Sequence, residues 1–122
     1  MVEALLRDHV LPELPLLVSA VAWTEDQENL NVRGPGWSFN TDAAWRVFDE
    51  AGLLFGWDSP NAQGVAELVG ARLVHVDVQS DRLALDPALH FDNGWTLEVF
   101  SGRQDEPWVL RLPGLTLVAP VV

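Results

Sequence analysis

The stretch ALHFDNGWTLEVF (residues 88–100) reads as two strands folded back on a tight turn. Asp92-Asn93-Gly94 supplies residues that tolerate positive φ, with apolar positions alternating on either side, a strong short-range signal for a β-hairpin. Trp95, Leu97 and Val99 share one strand face. In the next apolar run, WVLRL (108–112), Trp108, Leu110 and Leu112 do the same. Each Trp falls in register with aliphatic residues that need burial, so both are read as packing rather than as a recognition surface.

The same period-two pattern extends outward. Val74, Val76 and Val78 fall on one strand face, with His75 and Asp77 on the other. QSDR (79–82) reads as a turn and LAL (83–85) as a strand. Upstream, VSAVAW (18–23), LNVR (30–33), WSF (37–39), WRVF (45–48) and LLFGW (53–57) are further short strands, with GPG (34–36) breaking the chain. LTLVAP closes the sheet. Two segments differ. Residues 2–11 place Val2, Leu5, Leu6 and Val10 near one helical face, and Pro12 and Pro15 stop the pattern. In SPNAQGVAELVG (59–70), Ser59 suits a cap, Pro60 the first helical position and Gly70 the left-handed residue beyond the end. Val65, Leu68 and Val69 would form the buried stripe. Residues 18–48 also align weakly with 73–100, as an internal repeat would. The expected fold is one α+β domain over 1–122. It is mainly an antiparallel, internally duplicated β-sheet, as a sandwich or one curved sheet, with a helix near 60–69 and a short N-terminal helix.

Composition narrows the function classes. The chain has 122 residues, long enough for one core, and six Trp with five Phe to fill it. Eighteen Asp and Glu stand against seven basic residues, all Arg, for a net charge of −11. Such a chain is repelled by phosphate backbones, which argues against nucleic acid; the charge either keeps the protein in solution or attracts a basic protein partner. With no Cys there are no disulfides or thiolate sites. The N-terminus lacks a basic start and carries Glu3, Asp8 and Glu13, so neither a signal peptide nor a membrane association is expected, and the cytoplasm is the expected compartment.

Catalytic motifs are sparse. There is no G-x-S-x-G, and no Lys to complete a phosphate-binding loop. His75-Val-Asp77 and His90-Phe-Asp92 each put an imidazole and a carboxylate on one strand face; if the strands are neighbours, two nitrogen and two oxygen ligands could meet in a zinc-like site. The acid groups Glu25/Asp26/Glu28, Asp49/Glu50 and Asp105/Glu106 fall in turns, where solvated carboxylates belong, and His9 reads as a surface residue at a helix end. Asp58 with Ser59 reads as a helix cap. The competing reading makes Trp57-Asp58 a contact loop, and Trp37 and Trp57, beside Gly and loop residues, are the tryptophans expected to be exposed.

The run from Trp45-Arg46-Val47 through Gly52-Leu-Leu-Phe-Gly56-Trp-Asp58, Gly70 and Leu97-Glu98-Val99-Phe100 to Glu106-Pro-Trp108 resembles a group of small uncharacterised bacterial domains. Some of these are similar to immunity-type proteins that neutralise a toxin. The resemblance spans roughly residues 37 to 112, carries no catalytic residues, and matches Arg46 and Asp58 as polar positions. It implies a bacterial, non-catalytic, acidic protein-binding module without a cofactor, with Trp57, Asp58, Trp37 and Arg46 as candidate contacts. The alternative is a small metal-binding protein or enzyme using His75, Asp77, His90 and Asp92. A homodimer joined through the apolar edge LTLVAPVV is a third expectation.

Overall fold

The computed structural model describes residues 6–78, 86–100 and 108–118. The strand expected at 83–85, the turn before it, Asp105/Glu106 and the end of LTLVAPVV lie outside the described residues. Eleven strands run through the rest: β1 (Leu16–Leu17), β2 (Ala20–Thr24), β3 (Asn29–Gly34), β4 (Trp37–Thr41), β5 (Ala44–Asp49), β6 (Gly52–Gly56), β7 (Arg72–Val78), β8 (Pro87–Phe91), β9 (Thr96–Phe100), β10 (Trp108–Leu112) and β11 (Leu115–Val118). They form a six-stranded sheet, β1-β7-β8-β9-β5-β6, and a five-stranded sheet, β11-β10-β4-β3-β2. The chain is thus α+β and dominated by antiparallel sheet. The two sheets face each other across one continuous core, so the arrangement is a sandwich. Residues 73–100 lay β7, β8 and β9 side by side in one sheet. Residues 18–48 lay β2, β3 and β4 side by side in the other, then send β5 across. Among the described residues, no helix is long and apolar enough to cross a membrane.

The hairpin that opened the sequence reading forms as expected. The Gly94 N–H donates to the Phe91 carbonyl at 3.1 Å, and Gly94 takes φ +88°. Trp108 is fully enclosed, stacked on Phe39 at 6.2 Å between ring centres, and Trp95 packs edge-on against Phe55 at 5.6 Å. Both serve packing. GPG is also a hairpin turn: Pro35 and Gly36 sit between the paired residues Gly34 and Trp37, and Gly36 has φ +77°, the type II pattern of Pro followed by a left-handed Gly.

Both expected helices form, while three finer expectations, the burial of Val69, the Asp58-Ser59 cap and the inward face of Val74, are corrected. The helix near 60–69 forms, as a 3₁₀ segment, Ala62–Leu68. Three residues per turn line up Ala62, Val65 and Leu68 as the buried stripe and turn Val69 outward, where it is 50 % exposed. Asp58 and Ser59 do not cap it, since the preceding residue is Asn61 and its side chain makes no cap bond. Ser59 Oγ instead accepts from the Gly56 N–H at 2.9 Å. In β7 the register shifts between Leu73 and His75, so Val74 bulges out at 43 % exposure while Leu73 and Val76 face the core. At the N-terminus the expected helix is one π-helical turn, Leu6–Val10, followed by a 3₁₀ turn, Leu11–Glu13.

The chain switches sheets between β1 and β2, and this corner is tightly bonded. Val18 N–H donates to Ala71 O (2.9 Å), Ser19 N–H to Arg33 O (2.8 Å) and Gly70 N–H to Val18 O (2.9 Å). The Trp37 indole donates to Leu17 O at 2.8 Å. Gly34 lies beneath this crossing, and a Cβ there would collide with the Leu17 carbonyl and the Trp37 indole. Overpacking of this kind costs about 1–3 kcal/mol. Gly34→Ala is therefore expected to lower the urea midpoint of unfolding clearly.

Candidate functional site

The four residues of the expected metal site do not converge. β7 and β8 are neighbours, with His75 directly opposite His90 and ring centres 5.6 Å apart. Asp77 shares that outer face, its Oδ2 lying 3.8 Å from His75 Nε2. Asp92 is committed elsewhere: its Oδ1 accepts from the Arg72 N–H at 2.9 Å and its own N–H donates to Arg72 O at 2.9 Å, clamping the start of β7. Among the described residues, no group of three or more His, Asp or Glu side chains is arranged to hold a metal ion. His90 is half-buried, with Nδ1 3.1 Å from Thr96 Oγ1. Its pKa is lowered from the ordinary 6.5, first by burial and then by His75, against the opposing pull of Asp77 and Glu98.

The candidate contact residues divide sharply. Trp37, expected at the surface, is 4 % exposed, because the Leu17 carbonyl claims its indole N–H at the sheet corner. Arg46 lies on the outer face of β5. A Cβ on Gly56 would stand 2.9 Å from its Cγ, and its guanidinium carbon sits 4.0 Å from the centre of the Phe100 ring, a cation–π contact within the sheet. Asp58 is exposed, and Trp57 is exposed as expected, at 38 %.

Trp57 belongs to a cleft that no motif announced. A recess of about 100 Å³ is lined by Trp23, Glu28, Asp42, Ala43, Ala44 and Trp57. Three connections converge there: the turn between β2 and β3, the crossover from β4 to β5, and the loop leaving β6. Each is fixed locally. The Ala43 N–H donates to Thr41 Oγ1 at 3.0 Å, setting the crossover. Asn29 Nδ2 donates to Asp42 Oδ1 at 2.6 Å, orienting that carboxylate. The Trp57 N–H donates to Trp45 O at 3.0 Å, holding the loop backbone while the indole stays outside the core. Trp23 meets Trp45 edge-on at 5.2 Å, and its carbonyl accepts from Gln63 Nε2 at 3.1 Å.

Glu28 is held less comfortably. It caps the 3₁₀ turn Glu25–Gln27 with φ +50°, a left-handed conformation uncommon for a residue with a Cβ. The recess therefore joins two indoles to two exposed carboxylates, and its lining offers neither a hydroxyl nor an imidazole. Sequence reading placed Glu28 among solvated turn acids and passed over Trp23 and Asp42. The available signal was a Trp ending a strand just before an acidic turn, WTEDQE (23–28).

No protein-family model, curated protein or solved structure matches this chain. The resemblance to immunity-type domains rests on its sequence motifs alone.

Two measurements follow from this geometry. Because His90 binds its proton less readily folded than unfolded, its contribution to stability is present above about pH 6.5 and is lost as pH falls through its lowered folded value. The denaturation midpoint should drop as pH falls from about 6.5 towards that lowered value, and His90→Gln should flatten the dependence. Glu28→Gly removes the left-handed strain and should raise stability by about 0.5–1 kcal/mol in urea titrations.

Proposed function

We propose that this chain is a non-catalytic, acidic binding module of the bacterial cytoplasm that docks on a basic protein, of the inhibitory kind the immunity-type resemblance implies. The observation that carries the reading is the exposed Trp57 beside Glu28 and Asp42, on a chain of net charge −11. Interfaces draw most of their affinity from a few anchors, with Trp, Tyr and Arg prominent among them, while surrounding charge sets orientation and speeds encounter. An aromatic anchor with an acidic rim suits a basic partner. Turn acids Glu25 and Asp26 extend the negative rim beyond the recess.

The test is retention of proteins on the immobilised chain from a bacterial lysate at low salt, followed by affinity measurement on any purified partner. A basic protein retained in stoichiometric amount is expected. Its Kd should rise steeply with ionic strength, because the screening length shortens from about 10 Å at 0.1 M salt to about 3 Å at 1 M. A stoichiometric partner that is acidic, or whose affinity is indifferent to salt, would count against the proposal.

A further inference from the structure

We infer that the cleft between Trp23 and Trp57 seats a single basic side chain of the partner, a lysine ammonium or an arginine guanidinium. The inference rests on the protein-binding reading and names the point of contact. Volume is the first argument. At about 100 Å³ the recess is well below the roughly 300–1,000 Å³ of sites for drug-sized ligands. It accepts the end of a side chain and leaves the rest of its bearer outside.

Chemistry of the walls is the second argument. Indole faces attract cations more strongly than other side-chain rings do. Trp23 is almost fully buried and fixed by Trp45 and Gln63, so it is a preformed wall, and Trp57 supplies an accessible one. Ala43 and Ala44 are small, and their side chains leave the space open.

Charge is the third. Among the described residues, neither Glu28 nor Asp42 is ion-paired; the ion pairs are Arg7 with Asp8 and His75 with Asp77. Among the described residues, no Arg lines the cleft, so none of them compensates its negative charge. Asp42, held through Oδ1 by Asn29, retains Oδ2 for a further donor. An arginine fork or a lysine ammonium completes what this lining lacks, an assembly of aromatic faces and carboxylates around one cation.

The experiment uses the full chain and four probes at low salt: an arginine-rich peptide, the capped peptides acetyl-Gly-Arg-Gly-amide and acetyl-Gly-Lys-Gly-amide, and tetramethylammonium chloride. Indole N–H resonances in nitrogen-15 spectra report the site, and thermal melts confirm that each variant is folded. The peptides are expected to shift the Trp23 and Trp57 signals. Trp57→Ala should weaken the arginine-rich peptide about tenfold, while Trp57→Phe retains most of the affinity. Glu28→Gln/Asp42→Asn should weaken it more than Asp49→Asn/Glu50→Gln, which makes the same charge change at the turn between β5 and β6. Equal loss in the two double variants, with no effect of Trp57→Ala, overturns the cleft and leaves the general acidic attraction standing. An arginine-rich peptide that does not bind at all overturns both readings. Tetramethylammonium that moves the indole signals when the capped peptides do not assigns the cleft to a free small cation, and likewise overturns the inference.

Discussion

The edge-on contact of Trp23 with Trp45 is the interaction on which the rest of the molecule depends. Trp23 comes from β2 in the five-stranded sheet and Trp45 from β5 in the six-stranded one, so this pair of indoles, 5.2 Å apart at 83°, spans the two layers within their shared core. Perpendicular aromatic pairs are favoured by the ring quadrupole over face-to-face stacking. The contact extends through Phe55, which meets Trp45 at 88° and Trp95 at 79°. A continuous aromatic seam thus occupies one end of the sandwich. Among the described residues, the buried Trp45 indole N–H has no hydrogen-bond partner; its surroundings are the perpendicular rings instead. Leaving that donor unpaired is tolerated where large apolar surfaces are buried around it.

The seam also explains why a recess forms where it does. Trp23 is turned inward by its contact with Trp45, yet it lies near the end of β2, where the chain leaves the sheet. The loop after β6 is tied to the same residue, Trp45, through a backbone bond from Trp57. One buried residue therefore anchors both sides of the cleft, Trp23 through its ring and the Trp57 backbone through its carbonyl. Rigidity comes from the core and exposure from the loop, the division of labour expected when binding residues are set on a packed scaffold.

Strand positions were legible in the sequence because period-two patterning and turn residues are local signals. ALHFDNGWTLEVF formed its hairpin, and each apolar run within the described residues became a strand near its expected bounds. The failures arose where tertiary structure overrode a local rule. Val74 left its expected face because a bulge reset the alternation of β7, and no single residue in RLVHVDV marks that bulge. Trp37 looked exposed beside GPG, but Gly34 is there to let the chain cross closely, and the crossing consumes the indole N–H. Val69 was assigned by helical spacing at 3.6 residues per turn, whereas the segment winds at three. The cleft was hidden for a different reason. Its residues come from 23, 28, 42–44 and 57, which only the crossover between sheets brings together.

The left-handed Glu28 links stability to this arrangement. A glycine would occupy that conformation without strain, and the chain uses glycine at φ +77°, +88° and +93° elsewhere. Keeping a carboxylate at a strained corner sacrifices stability and leaves a negative charge at the mouth of the recess. Strain by itself identifies no ligand. Yet a net charge of −11 already disfavours compactness through self-repulsion, and further unpaired acid at a convergence of three connections adds to it. Two local penalties thus fall on the same residue. A cation entering the recess would neutralise the charge, while the backbone strain would remain. On the proposed reading, the residue that carries the left-handed strain lies where the partner's positive charge would enter.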